Sequence, residues 1–124
     1  MRFRGAFRVV RRVDRALPTK GLPAGGSRSV LAGDASLDAR IWPHGGSGPL
    51  LLVNAPRKAG GAVRRNLFRR RVRMALLQLL RETPPARPFV LWVRPMRGTA
   101  DAGRIPFNTI LGQLRLALRR LEGP

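Results

Sequence analysis

Ten basic residues and no acid lie between Asp38 and Glu82: Arg40, Arg57, Lys58, Arg64, Arg65, Arg69, Arg70, Arg71, Arg73 and Arg81. Their types suit one chemistry above others, the holding of phosphate. A guanidinium is planar, stays charged at any ordinary pH and grips a phosphate through two hydrogen bonds. On a helix turning about 100° per residue, Asn66, Arg69, Arg70 and Arg73 fall on one side, at i, i+3, i+4 and i+7. Phe68, Val72, Ala75, Leu76 and Leu79 fall on the opposite side, facing a core, with Val63, Leu67 and Met74 flanking it. The basic side is costly. Like charges at i, i+4, as in Arg65/Arg69 and Arg69/Arg73, oppose the helix by a few tenths of a kcal/mol each. Arg64 and Arg65 lie near its N-terminus, where the dipole disfavours cations by ~0.3–1 kcal/mol each. A solvated surface is one reading of this row. A helix laid along a phosphate backbone is the other, and the lack of any interleaved Glu favours it. Asn66 then adds a neutral donor and acceptor for a 2′-hydroxyl or a base edge.

Residues for catalysis by the polypeptide itself are missing. There is one His, no Cys and no Tyr, and the six acids are scattered at Asp14, Asp34, Asp38, Glu82, Asp101 and Glu122. No paired carboxylates, metal-ligand spacing or Ser-His-Asp set can be assembled from them. Neither a catalytic nor a metal-ligating residue is therefore assigned. His44 sits in a Gly-rich turn, where a lone His is a surface residue. Gly45-Gly46-Ser47-Gly48 lacks the Gly-Lys-Ser/Thr ending of a phosphate-binding loop.

The elements that must position the basic row belong to one domain, since 124 residues are too few for two ordinary ones. With 25 Lys and Arg against 6 Asp and Glu the chain carries +19, a self-repulsion that a polyanionic partner would relieve. Phe3, Phe7, Val10, Val13 and Leu17 against Arg4, Arg8, Arg11, Arg12 and Arg15 predict a basic amphipathic helix over 1–17. The Pro- and Gly-rich stretch 18–29 reads as a flexible loop. Strands are predicted weakly at 29–32, by alternation at 37–42, and by continuous apolar runs at 50–53 and 89–93. A long helix spans 60–82. A flexible loop covers 96–106. Phe107, Ile110, Leu111, Leu114, Ala117, Leu118 and Leu121 stripe a last helix. Helix, strands, helix, strand, helix make an α+β domain with helices packed on a sheet. No apolar run approaches the ~18 residues of a membrane span.

Three aromatics are candidates for stacking on unpaired bases. Phe7 lies on an apolar stripe, as core or as a platform. Trp42 alternates onto the side of Arg40, and stacking on a base or anchoring the adjacent turn both remain open. Trp92, inside a continuous apolar run, reads as core.

The stretch Arg57-Lys58-Ala59-Gly60-Gly61-Ala62-Val63-Arg64-Arg65-Asn66-Leu67-Phe68-Arg69-Arg70-Arg71-Val72-Arg73 resembles the signature of the bacterial ribonuclease P protein component. Arg57, Lys58, Gly60, Ala62, Val63, Arg65, Asn66, Arg69, Arg70 and Arg73 match it without a gap. Leu67 stands where the family has a second Arg, and Met74 where it has an acid. The flanking strands, Arg94-Pro95 and the Phe107-led helix follow the family's order, and Phe7 resembles its opening aromatic.

The resemblance implies a small α-β sandwich related to a ribosomal-protein domain, with about four strands and three helices in the order αβββαβα. It implies a left-handed crossover into the motif helix, where pattern alone would default to the right hand. It implies the protein subunit of an endoribonuclease that removes the 5′ leader of precursor tRNA, with a catalytic RNA and Mg²⁺ doing the chemistry and the metal held mainly by RNA and substrate. Arg57, Lys58, Arg64, Arg65, Asn66, Arg69, Arg70 and Arg73 would meet the catalytic RNA. Phe7, Arg11, Arg40 and Trp42 would meet the leader, in a cleft between the first helix and the sheet. A bacterial cytoplasmic protein needing no membrane and no protein partner is expected. The competing reading is a small basic ribosomal protein or other structured-RNA-binding module. The first segment also imitates a transit peptide or a membrane-surface helix, but the family fold requires a helix there.

Overall fold

Three segments that pair far along the chain decide the architecture of the computed structural model, which describes residues 8–10, 28–30, 36–43, 49–83 and 88–122. The strands are β1 (Arg8–Val10), β2 (Arg28–Val30), β3 (Leu37–Pro43), β4 (Leu50–Val53) and β5 (Phe89–Pro95). They form one sheet in the order β1-β4-β5-β3-β2. β5 is central: it runs parallel to β4 with Leu51 opposite Leu91, and antiparallel to β3 with Arg40 opposite Trp92. β1 lies parallel to β4, and β2 antiparallel to β3.

Parallel neighbours cannot be joined by a tight turn. The connection from β4 to β5 is a 21-residue helix, α1 (Ala62–Glu82), entered through a 3-10 turn at Arg57–Ala59. A second helix, α2 (Phe107–Glu122), follows β5. The core lies between these helices and one face of the sheet. Leu37, Ala39 and Ile41 of β3, Leu51 and Val53 of β4, and Phe89, Leu91 and Val93 of β5 alternate into it. Helix α1 contributes Phe68, Val72, Ala75, Leu76 and Leu79, the side its periodicity predicts, with Leu80 beside them. Helix α2 contributes Ile110, Leu114 and Ala117 at helical spacing. Gln113 is fully buried among them. Its Oε1 accepts from the Leu37 N–H at 3.0 Å and its Nε2 donates to the Leu37 carbonyl at 3.4 Å, satisfying a strand-end peptide inside the core.

One expectation is corrected here, with the element count that follows from it. The helix predicted over 1–17 is a strand at Arg8–Val10, and the rest of that range lies outside the described residues. β4 offers a row of backbone donors and acceptors along its outer edge, and pairing with them outweighs a local helical period in Val9-Val10, residues that favour strands. The described residues therefore hold five strands and two α-helices, not four and three. The stretch 96–106, read as a loop, holds two hydrogen-bonded turns. Met96 N–H donates to the Ser36 carbonyl, and the Thr99 N–H and hydroxyl both donate to the Met96 carbonyl, closing a turn with Gly98 at φ +92°. A positive φ at that position is what a glycine tolerates. A 3-10 turn follows at Ala102–Arg104, with Asp101 Oδ1 accepting from Gly103 N–H at 2.9 Å. Of the predicted loop 18–29, residues 28 and 29 open β2 and the remainder lies outside the described residues.

Candidate nucleic-acid interface

The motif is mounted on two buried alanines. After β4, Asn54 N–H donates to the Val93 carbonyl, and Ala55 and Ala59 are buried, which leaves Arg57 and Lys58 exposed on the turn between them. Gly60 then adopts φ +128°, and a side chain there would also press on the Arg64 Cβ at 3.2 Å. Helix α1 starts at once, with Gly61 as its N-cap, no side-chain cap and no acid in its first turn. Its amide dipole and its arginines therefore add positive potential at the same end of the helix.

The structure divides the arginines of α1 into two sets. Arg64 and Arg71, seven residues apart, look toward the 3-10 turn before α2. Arg71 Nη1 donates to the Gly103 carbonyl at 2.6 Å and the Ile105 carbonyl at 2.8 Å. Arg64 Nε donates to Asp101 Oδ1 at 3.1 Å and Oδ2 at 3.3 Å. Its guanidinium lies against Gly103, where a Cβ would come within 2.6 Å of it. Hydrogen bonding from Arg64 is the largest effect on the Asp101 carboxyl and outweighs the opposing effect of desolvation; the Gly103 N–H and the charges of Arg64 and Arg104 add to it, so the carboxyl is held below its ordinary range.

On the other side stand Arg65, Asn66, Arg69, Arg70 and Arg73. Arg65 is half-buried, with Nε donating to the Gly60 carbonyl at 3.1 Å and Nη1 reaching the Ala55 carbonyl at 3.5 Å. Arg69 Nη1 donates to Asn66 Oδ1 at 3.0 Å, so the Asn66 amide keeps its N–H groups free as donors but has its oxygen engaged. Partial burial, then the charges of Arg65 and Arg73, lower the Arg69 pKa from the usual guanidinium value, a sign of crowded positive charge. Arg57, Lys58, Arg70 and Arg73 are exposed, and their side chains make no hydrogen bond or ion pair among the described residues. Of the eight residues predicted to meet RNA, four thus point outward unpaired, Asn66 and Arg69 pair with each other, and Arg65 and Arg64 are tied to the fold.

The sheet face turned away from the helices carries a second polar group. Asp38 sits between two arginines: Arg94 Nε and Nη2 approach its Oδ2 at 3.2 Å, and Arg40 Nη2 at 3.5 Å. Trp92, opposite Arg40, is half-buried against Leu50 and Leu52, and its buried Nε1 has no acceptor among the described residues. Trp92 is therefore not in the main core as its apolar run suggested. A small cavity of about 70 Å³ opens among Asp38, Arg40, Trp92 and Arg94. Trp42 pairs through its backbone with Val90 in the same sheet. Phe7, Arg11 and His44 lie outside the described residues. Sequence reading missed Trp92 and Arg94; the signal was the period of two running through Val90, Trp92 and Arg94. Among the described residues no group of three His, Cys, Asp or Glu could hold a metal, and no helix is long and apolar enough to cross a membrane.

Comparisons with known proteins agree on one family. The family model of ribonuclease P matches residues 30–122. Among solved structures, the RNase P protein from Thermotoga maritima superposes with a TM-score of 0.58 at 25% identity, covering 78% of this chain and 86% of that one. The same protein in complex with 1-(4-fluorophenyl)-2-thiourea gives a TM-score of 0.60 at 23% identity, covering 77% and 86%. The RNase P protein of Staphylococcus aureus shares the fold, with a TM-score of 0.56 at 17% identity over 76% of this chain and 80% of that one. A search of curated proteins finds no match.

Proposed function

The chain belongs to the ribonuclease P protein family, and from that premise we propose that it is the protein subunit of a ribonucleoprotein that removes the 5′ leader from precursor tRNA. The observation that carries this reading is the gap-free motif from Arg57 to Arg73, whose unpaired cations Arg57, Lys58, Arg70 and Arg73 all stand in solvent within the matched region. The physical role is electrostatic. A folded catalytic RNA crowds phosphates together, and each contact with an arginine releases condensed counterions and relieves that repulsion. The RNA then needs less Mg²⁺ to stay folded.

The chemistry belongs to the catalytic RNA, with Mg²⁺ held by RNA and substrate. Asp38, Asp101 and Glu82 are each engaged by arginines. The single-stranded leader is assigned to Arg40, which lies beside the half-buried Trp92, and to Trp42, Phe7 and Arg11. Aromatic faces next to cations suit unpaired bases. The protein works in the cytoplasm, where its RNA partners are.

Reconstitution tests the reading. Added to a bacterial catalytic RNA at low Mg²⁺, the protein should restore leader removal; the polypeptide with Mg²⁺ and no RNA subunit should cleave nothing. Failure to stimulate would refute the assignment. Phe7→Ala and Arg40→Ala should weaken binding of precursor tRNA more than of leaderless tRNA; equal losses would remove them from the leader surface.

A further inference from the structure

Beyond the motif row and the sheet face turned away from α1 and α2, the chain has a larger crevice of about 420 Å³ where β4 and β5 end. Asn54, Lys58, Arg94, Met96, Arg97 and Thr99 line it, with no acid among the described residues of its wall. We propose that this crevice takes a single unpaired ribonucleotide, its phosphate held between Lys58 and Arg97 and its base set against Met96 with Asn54 at its edge. This assignment rests on the reading of the chain as an RNA-binding subunit and adds to it a site outside the arginine helix.

Four observations converge. The volume falls in the range of small-ligand sites and is far more than a bare phosphate fills. Of the three cations in the wall, Arg94 is spent on Asp38, whereas Lys58 and Arg97 are exposed and unpaired among the described residues. The walls are already fixed. Met96 N–H is bonded to the Ser36 carbonyl, the 96–99 turn is closed by Thr99, and Asn54 is anchored through its backbone to Val93, which leaves its exposed side chain to present a donor and an acceptor. A pre-formed pocket spends little binding energy on ordering. Finally, β4 and β5 are parallel neighbours, and both run their carboxyl ends into this crevice, the place where open sheets with parallel strands receive ligands. Lys58 belongs to the motif turn, so the crevice continues the phosphate-binding row onto the loop after β5.

The nucleotide could come from the catalytic RNA or from the precursor tRNA, and binding to each, measured separately over a salt series with the full chain, separates the two. Arg97→Ala should lower the log–log salt slope by roughly 0.7–0.9 for one of the two RNAs, the loss of one phosphate contact. Asn54→Ala should weaken the same RNA without changing the slope. Ala100→Phe, which adds bulk at an exposed wall position and removes no charge, should weaken it roughly tenfold. Thermal unfolding should be unchanged in Arg97→Ala and Asn54→Ala. If Arg97→Ala alters binding while Asn54→Ala and Ala100→Phe do not, Arg97 is a surface charge and the crevice proposal fails. The proposal fails equally if all three variants bind both RNAs like the parent while Arg70→Ala with Arg73→Ala loses slope. Loss of slope in none of them, the double variant included, would refute the RNA-binding reading itself.

Discussion

Arg70 and Arg71 are adjacent on α1, yet they belong to different regions of the molecule. Arg71 faces the turn before α2 and satisfies two carbonyls there, while Arg70 projects into solvent with no partner among the described residues. The same contrast separates Arg64, tied to Asp101, from Arg73. A motif rich in one residue type is thus two devices. One side of the helix uses guanidinium groups as internal staples, Arg71 on two carbonyls and Arg64 on a carboxylate; the other keeps Arg70 and Arg73 unpaired among the described residues, at some cost in mutual repulsion, an arrangement that suits an outside anion. The lesson is that the number of arginines in such a motif overstates the number available for RNA.

The largest effect should come from the stapling side. Arg71→Met keeps much of the bulk and removes the donors, so denaturant unfolding should show a loss of roughly 1.5–3 kcal/mol. A variant as stable as the parent would erase the distinction. Next comes the outward side. Arg70→Ala with Arg73→Ala should leave stability within about 0.5 kcal/mol but cut the salt slope for the catalytic RNA by roughly 1.4–1.8, two phosphate contacts. Unfolding of this double variant at lower denaturant would place these residues with the staples instead.

A smaller effect lies at the boundary. Asp101→Asn should release Arg64, which is half-exposed, and steepen the salt slope by at most roughly one contact, 0.7–0.9. A slope unchanged by that variant would assign Arg64 to the fold outright. The smallest effect concerns pH. Asp101 and Glu82 both have carboxyl groups held below their usual range, Glu82 by hydrogen bonds first from Gln78 and then from Arg115. A depressed folded-state value means that the two ties contribute above the unfolded pKa and are lost as pH falls through the folded one. Both should be intact at neutral pH, and carboxylate NMR should find the two groups titrating below free Asp and Glu. Titration at or above the ordinary values would deny the ties.

The α1 helix was legible because its information is local. A period of 3.6 sorts Phe68, Val72, Ala75, Leu76 and Leu79 onto one side whatever they pack against, and burial followed that pattern. Strands β3, β4 and β5 were legible from alternation or apolar runs bounded by turn residues. Strand β1 was not, because Arg8–Val10 has a local period compatible with a helix and its partner Leu50–Leu52 lies far along the chain. Trp92 was misplaced because a continuous apolar run conceals which residues share a face; only pairing with Arg40 on β3 reveals it. The anchoring of the 96–106 loop, and hence the crevice beside it, had no signal beyond Gly98 and Asp101.

By itself the sequence determined the charge and the facing of the motif helix, both properties of residue type and short-range spacing. Tertiary structure decided which arginines remain free. That choice depends on where carbonyls such as those of Gly103 and Ile105, and the Asp101 carboxylate, come to rest against α1. A guanidinium bonds whatever acceptor lies within about 3 Å of it, and proximity between residues distant in sequence is set only when the chain packs.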